Sequence, residues 1–263
     1  MPIRTKIALS RPTEERFRDL DYEVMAQAFS IHNELGNLHD ESIYQESLYR
    51  RANACDLCPE KELQIYLSHG SFRKDYYLDL CISGEMLYEL KTVKSVTSRH
   101  EAQLLNYLFL TDLPHGKIIN FSPPSIESRY VSTSLERNTR RQFEVDQSGW
   151  IPVSDYCDQI RELLTSLIDD WGTHLDFNLY KEALIFSLNL REEPINIFDG
   201  THCVGQRQEA MINGTSILHF TSLRGDQLLY KKHLYRLLKH TSLKQIQWIN
   251  IAGRKINLIS LQQ

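Results

Sequence analysis

The sequence contains no long hydrophobic run. Of its 263 residues, 41% are hydrophobic and 24% are charged, yet no stretch approaches the ~18 consecutive apolar residues that span a bilayer. The N-terminal residues MPIRTKIALSRPTEERF also lack the apolar centre of a signal peptide. We therefore expect no membrane partner and predict a cytoplasmic protein.

Cysteine is scarce and its count is odd. The five cysteines are Cys55, Cys58, Cys81, Cys157 and Cys203. An odd number, without a signal peptide, argues against a disulfide framework. Cys55 and Cys58 form the one CxxC motif, and a structural zinc site would need two further ligands at matching spacing. We interpret these residues as ordinary cysteines beside a turn.

The chain also carries little net charge. Its 30 Lys and Arg residues face 34 Asp and Glu residues, a formal charge of −4, which argues against coating nucleic acid by bulk charge. The charge is unevenly distributed, because residues 224–255 contain eight Lys or Arg and one acid, Asp226. This basic stretch is either a surface that tracks a phosphate backbone or a solvated helix face. The sequence does not indicate an oligomeric state.

Hydrophobic periodicity predicts a mixed α/β chain. Helices are predicted over 21–35, 41–53, 98–110 and 155–171, and strands over 62–68, 76–82, 86–93, 117–121 and 128–133. Ser83-Gly84-Glu85 predicts a tight hairpin between the second and third strands. The polar segment 136–150 is predicted to be a linker between a domain over 12–135 and a second domain over 151–263.

The second domain repeats part of the first. Residues 79–121 align without a gap on residues 209–251, and eight of the 43 pairs are identical, against about 6% for random pairs. The identities include Gly84 with Gly214 and Asn120 with Asn250. Any two hairpin–helix–strand units would align to some degree, but the absence of gaps favours a duplicated α/β domain.

The two copies differ at polar positions. Asp79, Glu89, Lys91, Gln103 and Tyr107 of the first copy correspond to Glu209, His219, Thr221, His233 and Leu237 of the second. A set required only for folding would be needed in both copies. The loss therefore indicates that the first copy holds a functional site and the second does not.

The differing residues include two acids and a lysine on neighbouring strands. The strand period of two places Glu89 and Lys91 on one face, and a hairpin centred on Gly84 places Asp79 opposite Glu89. Carboxylates on directly opposed residues, whose Cβ atoms lie about 5 Å apart, repel unless they share a cation or a proton. Oxygen ligands suit Mg²⁺ or Mn²⁺. The alternative is a structural ion pair, and a one-residue slip would move Asp79 to the other face.

The next helix contributes His100, Gln103 and Tyr107 to one face. Glutamine can hydrogen-bond a ligand water or a phosphate, and tyrosine can donate a hydrogen bond to a phosphate. The alternative interpretation is the polar flank of an amphipathic helix.

Together these motifs resemble a known superfamily. Asp79, Glu89-Leu-Lys91, and Gln103 with Tyr107 resemble the PD-(D/E)XK nucleases. Residues 20–135 are also similar to the bacterial proteins named for the pattern GxxExxY. Glu41 and Tyr44 of that pattern are present, but its glycine position holds Leu38.

The resemblance implies both a fold and an activity. The fold would be α/β, with two tandem αβββαβ restriction-endonuclease-like domains, the second degenerate. The activity would be metal-dependent hydrolysis of phosphodiester bonds in DNA or RNA, so nucleic acid would be the partner. Asp79 and Glu89 would bind Mg²⁺ or Mn²⁺, and Lys91 would orient or activate the attacking water. Gln103 and Tyr107 would support the site, with Glu41 as an accessory acid. The alternative is a non-catalytic nucleic-acid or protein interaction module that kept the fold.

Overall fold

The chain forms two compact units. A computed structural model describes residues 2–152 and 154–263. Unit 1 extends up to Ser68 and includes Arg73–Arg137, and unit 2 comprises His69–Phe72 and Asn138–Gln263. Each unit contains a six-stranded sheet with helices, so the predicted α/β class is confirmed.

Unit 1 begins with a short strand and two helices. Its elements are β1 (Ile3–Thr5), α1 (Glu14–Leu35), α2 (Glu41–Ala54), β2 (Pro59–His69), β3 (Phe72–Ile82), β4 (Met86–Lys91), α3 (Ser98–Thr111), β5 (His115–Asn120) and β6 (Glu127–Ser132). The strands are ordered β1-β2-β3-β4-β5-β6. Strands β4 and β5 are parallel, with α3 as their crossover. All of β4 except Lys91 is buried, since it lies between β3 and β5 in the sheet.

Helix α1 starts earlier than its hydrophobic pattern predicts. The Thr13 side chain accepts a hydrogen bond from the Arg16 backbone N–H, which caps the helix about two turns before its predicted start at residue 21. The helix ends at Gly36, whose φ of 73° favours glycine. The buried face of α1 includes Leu20, Val24, Ala28 and Ile31.

The core of unit 1 lies where the first two helices pack on the sheet. Tyr44 of α2 is fully buried and stacks on Phe121, with ring centroids 4.5 Å apart. Its hydroxyl donates to the Gly36 carbonyl oxygen at 2.7 Å. This bond fixes the start of α2, which carries Glu41, against the end of α1.

Unit 2 contains the corresponding elements in the same chain order. They are α4 (Arg137–Arg140), β7 (Glu144–Gly149), α5 (Asp155–Trp171), α6 (Phe177–Ser187), β8 (Arg191–Asp199), β9 (His202–Asn213), β10 (Ser216–Thr221), α7 (Gln227–Lys239), β11 (Gln245–Ala252) and β12 (Lys255–Gln262). The strands are ordered β7-β12-β11-β10-β9-β8. Helix α4 begins at the last residue of unit 1.

Strand pairing repeats between the units at the predicted 130-residue offset. Leu80 pairs with Tyr88 in unit 1, and Ala210 pairs with Leu218 in unit 2. The parallel pairings also correspond, with β4 and β5 matched to β10 and β11 residue for residue. The first strand of each unit takes a different position in its sheet. Strand β1 joins β2 at one edge, whereas β7 joins β12 at the opposite edge.

One retained asparagine supports the scaffold of each unit. Asn120 accepts a hydrogen bond from the Val93 N–H at 3.0 Å and donates to the Val93 carbonyl at 2.8 Å. Asn250 makes the same two bonds with Leu223, at 2.7 and 3.1 Å. In both units this asparagine therefore ties the chain after the central strand to the neighbouring strand.

The segment predicted as a linker contains ordered elements. Glu144–Gly149 forms β7 and pairs with β12. All six residues are exposed, so the strand shows no alternation of apolar and polar residues and its sequence resembles a loop. Similarly, β1 precedes residue 12, the predicted start of the first domain. No helix in the part of the chain that the structure describes is long and apolar enough to cross a membrane.

Candidate active site

The hairpin of β3 and β4 has the register expected from the sequence. Leu80 pairs with Tyr88, and Ile82 pairs with Met86. Beyond Leu80, the Asp79 carboxylate accepts a hydrogen bond from the Leu90 N–H at 2.7 Å. Asp79 therefore points towards β4, beside Glu89.

Lys91 lies among three carboxylates. Its Nζ is 2.7 Å from Glu89 Oε1, 3.6 Å from Glu41 Oε1 and 3.9 Å from Asp79 Oδ2. The ammonium group also donates to the Leu90 carbonyl at 2.7 Å. The structure thus brings together the four charged residues that the sequence singled out, from α2, β3 and β4.

Helix α3 supplies the two uncharged members of the predicted set. Gln103 Nε2 donates to Glu89 Oε1 at 2.7 Å. Tyr107 follows one turn later and is 8% exposed, with its ring 6.3 Å from that of Tyr76. Burial is the main cause that raises the pKa of Tyr107, although a hydrogen bond with Gln103 opposes it.

Both acids on the hairpin hold protons more tightly than usual. Burial, partly opposed by the Leu90 N–H and by Lys91, raises the pKa of Asp79 to about 6. Burial and then the charge of Asp79 raise the pKa of Glu89 to about 7. For Lys91, burial acts to lower the pKa, but Glu89, Asp79 and Glu41 together raise it.

The donor chemistry fits a hard divalent cation. Glu89 Oε2 is buried and has no hydrogen-bond partner among residues 2–152 and 154–263. An unpartnered carboxylate oxygen beside a second carboxylate is the environment that oxygen-preferring cations use. Asp79 and Glu89 could hold such an ion, although the described residues contain no cluster of three or more His, Cys, Asp or Glu side chains arranged as a metal site.

Two polar residues beside the site were not predicted. Gln45 on α2 donates to the Asp79 backbone carbonyl at 3.1 Å and to Glu62 Oε1 at 2.7 Å. Glu62, on β2 with a φ of 51°, contributes to the raised pKa of Asp79 after the larger effect of burial. Gln45 lies four residues after Glu41, so the shared helix face could have indicated its position.

Unit 2 has different chemistry at the equivalent place. Glu209 replaces Asp79 and forms an ion pair with Arg207. Its other oxygen is 4.0 Å from His219 Nδ1, and His219 Nε2 is 2.8 Å from the Tyr230 hydroxyl. The second acid and the lysine of unit 1 are replaced by His219 and Thr221. The arrangement of two acids around a lysine is therefore found in unit 1 and not at these positions of unit 2.

The first unit is similar to a known superfamily of nucleases. The family model of the PD-(D/E)XK nuclease superfamily matches residues 18–131, the part that contains all six predicted site residues. A solved structure titled "Crystal structure of SSO0001" is 20% identical, with a TM-score of 0.31, and the match covers 48% of this chain and 62% of that one. The chain thus spans less than two thirds of that structure's length. No curated protein matches the chain significantly.

Proposed function

We propose that unit 1 is a metal-dependent nuclease that hydrolyses phosphodiester bonds in DNA or RNA. The observation that carries this proposal is the convergence of Asp79, Glu89 and Glu41 on Lys91. The superfamily match over the same residues supports it. Burying the two carboxylates of Asp79 and Glu89 beside Lys91 is costly, which favours a functional role over a stabilising one.

Each side chain has a role that its contacts support. Asp79 and Glu89 would hold Mg²⁺ or Mn²⁺, which when bound neutralises charge at the phosphate and lowers the pKa of water. Lys91 would orient the attacking water and place positive charge where negative charge develops. Gln103 holds the Glu89 carboxylate in place, and Tyr107 supports Gln103. Glu41 would act as an accessory acid through Lys91.

The proposal extends to the family group of unit 1, the origin of unit 2 and the cellular location of the chain. The motifs of unit 1 support membership of the GxxExxY group, known from bacteria. The matched strand register, together with the changed residues at Glu209 and His219, supports a degenerate second copy. We propose that the chain acts in the cytoplasm.

Cleavage assays test the proposal directly. The purified protein is incubated with single- and double-stranded DNA and RNA, with Mg²⁺, with Mn²⁺ or with a chelator. We expect metal-dependent cleavage that Asp79→Asn and Lys91→Met each abolish, whereas Glu23→Gln, a change at an exposed acid on α1, leaves it intact. Cleavage that persists in either site variant would refute the assignment.

A non-catalytic interaction module is the second candidate. One oxygen of Asp79 is already bonded to the Leu90 N–H, and one oxygen of Glu89 is bonded to Lys91 and Gln103. One oxygen of each carboxylate therefore has hydrogen-bond partners in the absence of a metal ion. Binding of nucleic acid or protein without cleavage of any substrate, with either metal, would favour this second function.

A further inference from the structure

Unit 2 has a cluster of basic residues at one edge of its sheet. Strands β10 and β11 are parallel, so their carboxyl ends lie at the same edge. Arg224 follows β10, and Arg254 and Lys255 lie at the turn between β11 and β12. Helix α7 starts from this edge, three residues after Arg224.

The loops at this edge lie close together. Gly253 packs against His174, since a Cβ on Gly253 would lie 3.3 Å from His174 Nε2. Burial, and after it the positive charges of Arg140, Arg224 and Arg254, lower the pKa of His174. Arg224 and Arg254 lie in two different loops, and the charge of each lowers the pKa of the same residue, His174.

Among the residues that the structure describes, the basic residues of 224–255 have no acidic partner. In the described part of unit 2, none of the eight Lys and Arg side chains of residues 224–255 has a carboxylate oxygen within 4.0 Å. The one acid in the stretch, Asp226, caps α7 by accepting the Leu229 N–H at 3.0 Å. In unit 1, by contrast, Arg51 pairs with Glu34 at 2.7 Å. Concentrated positive charge without counter-charge favours an anionic partner.

The exposed side of α7 combines basic and aromatic side chains. Lys232, Tyr235, Arg236 and Lys239 are exposed, whereas Leu234 and Leu238 face the core. At 1.5 Å rise per residue, Lys232 and Lys239 lie about 10 Å apart along the axis. Cations that flank an aromatic ring suit a single-stranded nucleic acid, since the cations follow the phosphates and the ring stacks on a base.

The four basic residues of α7 are specific to unit 2. In α3 the positions equivalent to Lys231, Lys232, Arg236 and Lys239 hold Glu101, Ala102, Asn106 and Phe109. The repeated scaffold therefore does not require them.

We propose that unit 2 binds the phosphate backbone of single-stranded nucleic acid along the exposed side of α7 and the edge formed by Arg224, Arg254 and Lys255. The choice of nucleic acid among anionic polymers rests on the function proposed for unit 1. The charge pattern of α7 is independent of that function. Unit 2 would hold the polymer, and unit 1 would act on it.

Binding measured without metal separates the two proposals. Fluorescence anisotropy of a labelled single-stranded oligonucleotide, in a chelator, is compared between the native protein and two double variants. Lys232→Glu with Arg236→Glu should weaken binding at least tenfold and flatten its salt dependence. Arg50→Glu with Arg191→Glu, exposed residues elsewhere and an equal change of net charge, should change it less than twofold.

The outcomes distinguish failure of this inference from failure of the nuclease proposal. No binding by the native protein, or equal losses in both double variants, would overturn the inference. Normal binding by the α7 variant together with metal-dependent cleavage would overturn it and leave the nuclease proposal standing. Binding that depends on α7, without any cleavage, would support this inference and overturn the nuclease proposal.

Further ligands test the choice of polymer. Tyr235→Ala should weaken single-strand binding about fivefold or more, and Tyr235→Phe should preserve it, because stacking needs the ring. Duplex DNA should bind less tightly than the single strand. Equal competition by polyglutamate, or tighter binding to phosphatidylserine vesicles, would overturn the assignment to nucleic acid. Thermal unfolding of each variant checks that the fold persists.

Discussion

Glu89 is the residue at which stability and function are most clearly opposed. It is 2% exposed, with one oxygen bonded to both Lys91 and Gln103. The other oxygen has no partner among the residues that the structure describes. Leaving such an oxygen buried is costly, so Glu89 is a poor choice for stability alone.

The substitution Glu89→Gln separates the contribution of Glu89 to stability from its proposed contribution to cleavage. The amide keeps the size of the side chain and an oxygen for Lys91 and Gln103, but removes the negative charge. We expect the free energy of unfolding of the metal-free protein, measured in urea, to change by about 1 kcal/mol or less. Cleavage should fall by about 100-fold or more. A variant that loses stability and activity in parallel would indicate a structural role.

The raised pKa values predict how metal-free stability depends on pH. Asp79 and Glu89 titrate near 6 and 7 in the folded chain, against 3.8 and 4.5 for the free groups. Between about pH 4 and pH 7 the folded state therefore binds more protons than the unfolded state. Stability from these two groups is present at low pH and is lost as the pH rises through 6 to 7.

Urea unfolding in a chelator, between pH 4.5 and pH 8, measures this effect. The native protein is compared with Asp79→Asn/Glu89→Gln, which removes both titrations, so the difference between the two curves isolates their contribution. Relative to the double variant, the native protein should lose stability with rising pH. Mg²⁺ should restore stability to the native protein at pH 8 and not to the variant. A constant difference would contradict the raised pKa values.

At the scale of elements, an ionic network joins α1 to the sheet on the side away from Lys91. Lys117 of β5 is buried and lies 2.5 Å from Asp21 of α1. Tyr88 donates to Asp21 at 3.3 Å, and Tyr130 also donates to it. The Lys117 ammonium is 3.9 Å from the centre of the Tyr130 ring. Every member has a partner, so we interpret this network as structural.

Removing the cation of this network while keeping its acid should lower the free energy of unfolding. Lys117→Met leaves the Asp21 charge buried without its cation, and we expect a loss of about 3–5 kcal/mol in unfolding free energy. Adding Asp21→Leu should recover much of that loss, because no buried charge remains. Denaturant titration measures both, with Lys94→Met as an exposed control. A single variant as stable as the native chain would show that Lys117 contributes little.

The elements were predictable where burial imposes a period on the sequence. Helix α5 has the predicted bounds, and the β3–β4 hairpin has the predicted register. Strand β2 starts at Pro59, three residues before the predicted start of this strand at residue 62. Its outer residues are partly exposed and carry no clear alternation. Polar edge strands such as β7 are not predicted from the sequence for the same reason.

At the scale of the whole molecule, two similar sheets carry different charges. Both units keep the strand register and the asparagine ties of Asn120 and Asn250. The acids and the lysine that meet in unit 1 have become Glu209 paired with Arg207, His219 and Thr221 in unit 2. The difference between the two units at these positions marks the candidate site within a single sequence.

Equivalent substitutions in the two units test this division. Asp79→Asn should abolish cleavage, whereas Glu209→Gln at the matching position should leave the cleavage rate within about twofold, because Glu209 is ion-paired to Arg207 and not grouped with a second acid. Rates are measured on one oligonucleotide under saturating Mg²⁺. Thermal unfolding confirms that both variants fold. A large loss of cleavage in Glu209→Gln would place chemistry in unit 2 as well.

The predicted site residues were found together because strand period, hairpin register and helix spacing are local rules. Gln45 and Glu62 were missed because their approach depends on packing between α2 and β2. Glu62 has a left-handed backbone conformation that no local pattern indicated. The partial neutralisation of the acids by Lys91 likewise depends on distances that a sequence does not contain.

The position of β7 determines where the chain could be divided in the laboratory. A fragment beginning at residue 151, the predicted start of the second domain, would lack Glu144–Gly149 and expose the outer backbone of β12. Unpaired strand edges invite association with other chains. A fragment beginning near residue 138 would retain its own covering strand, so expression of unit 2 alone should favour the earlier start.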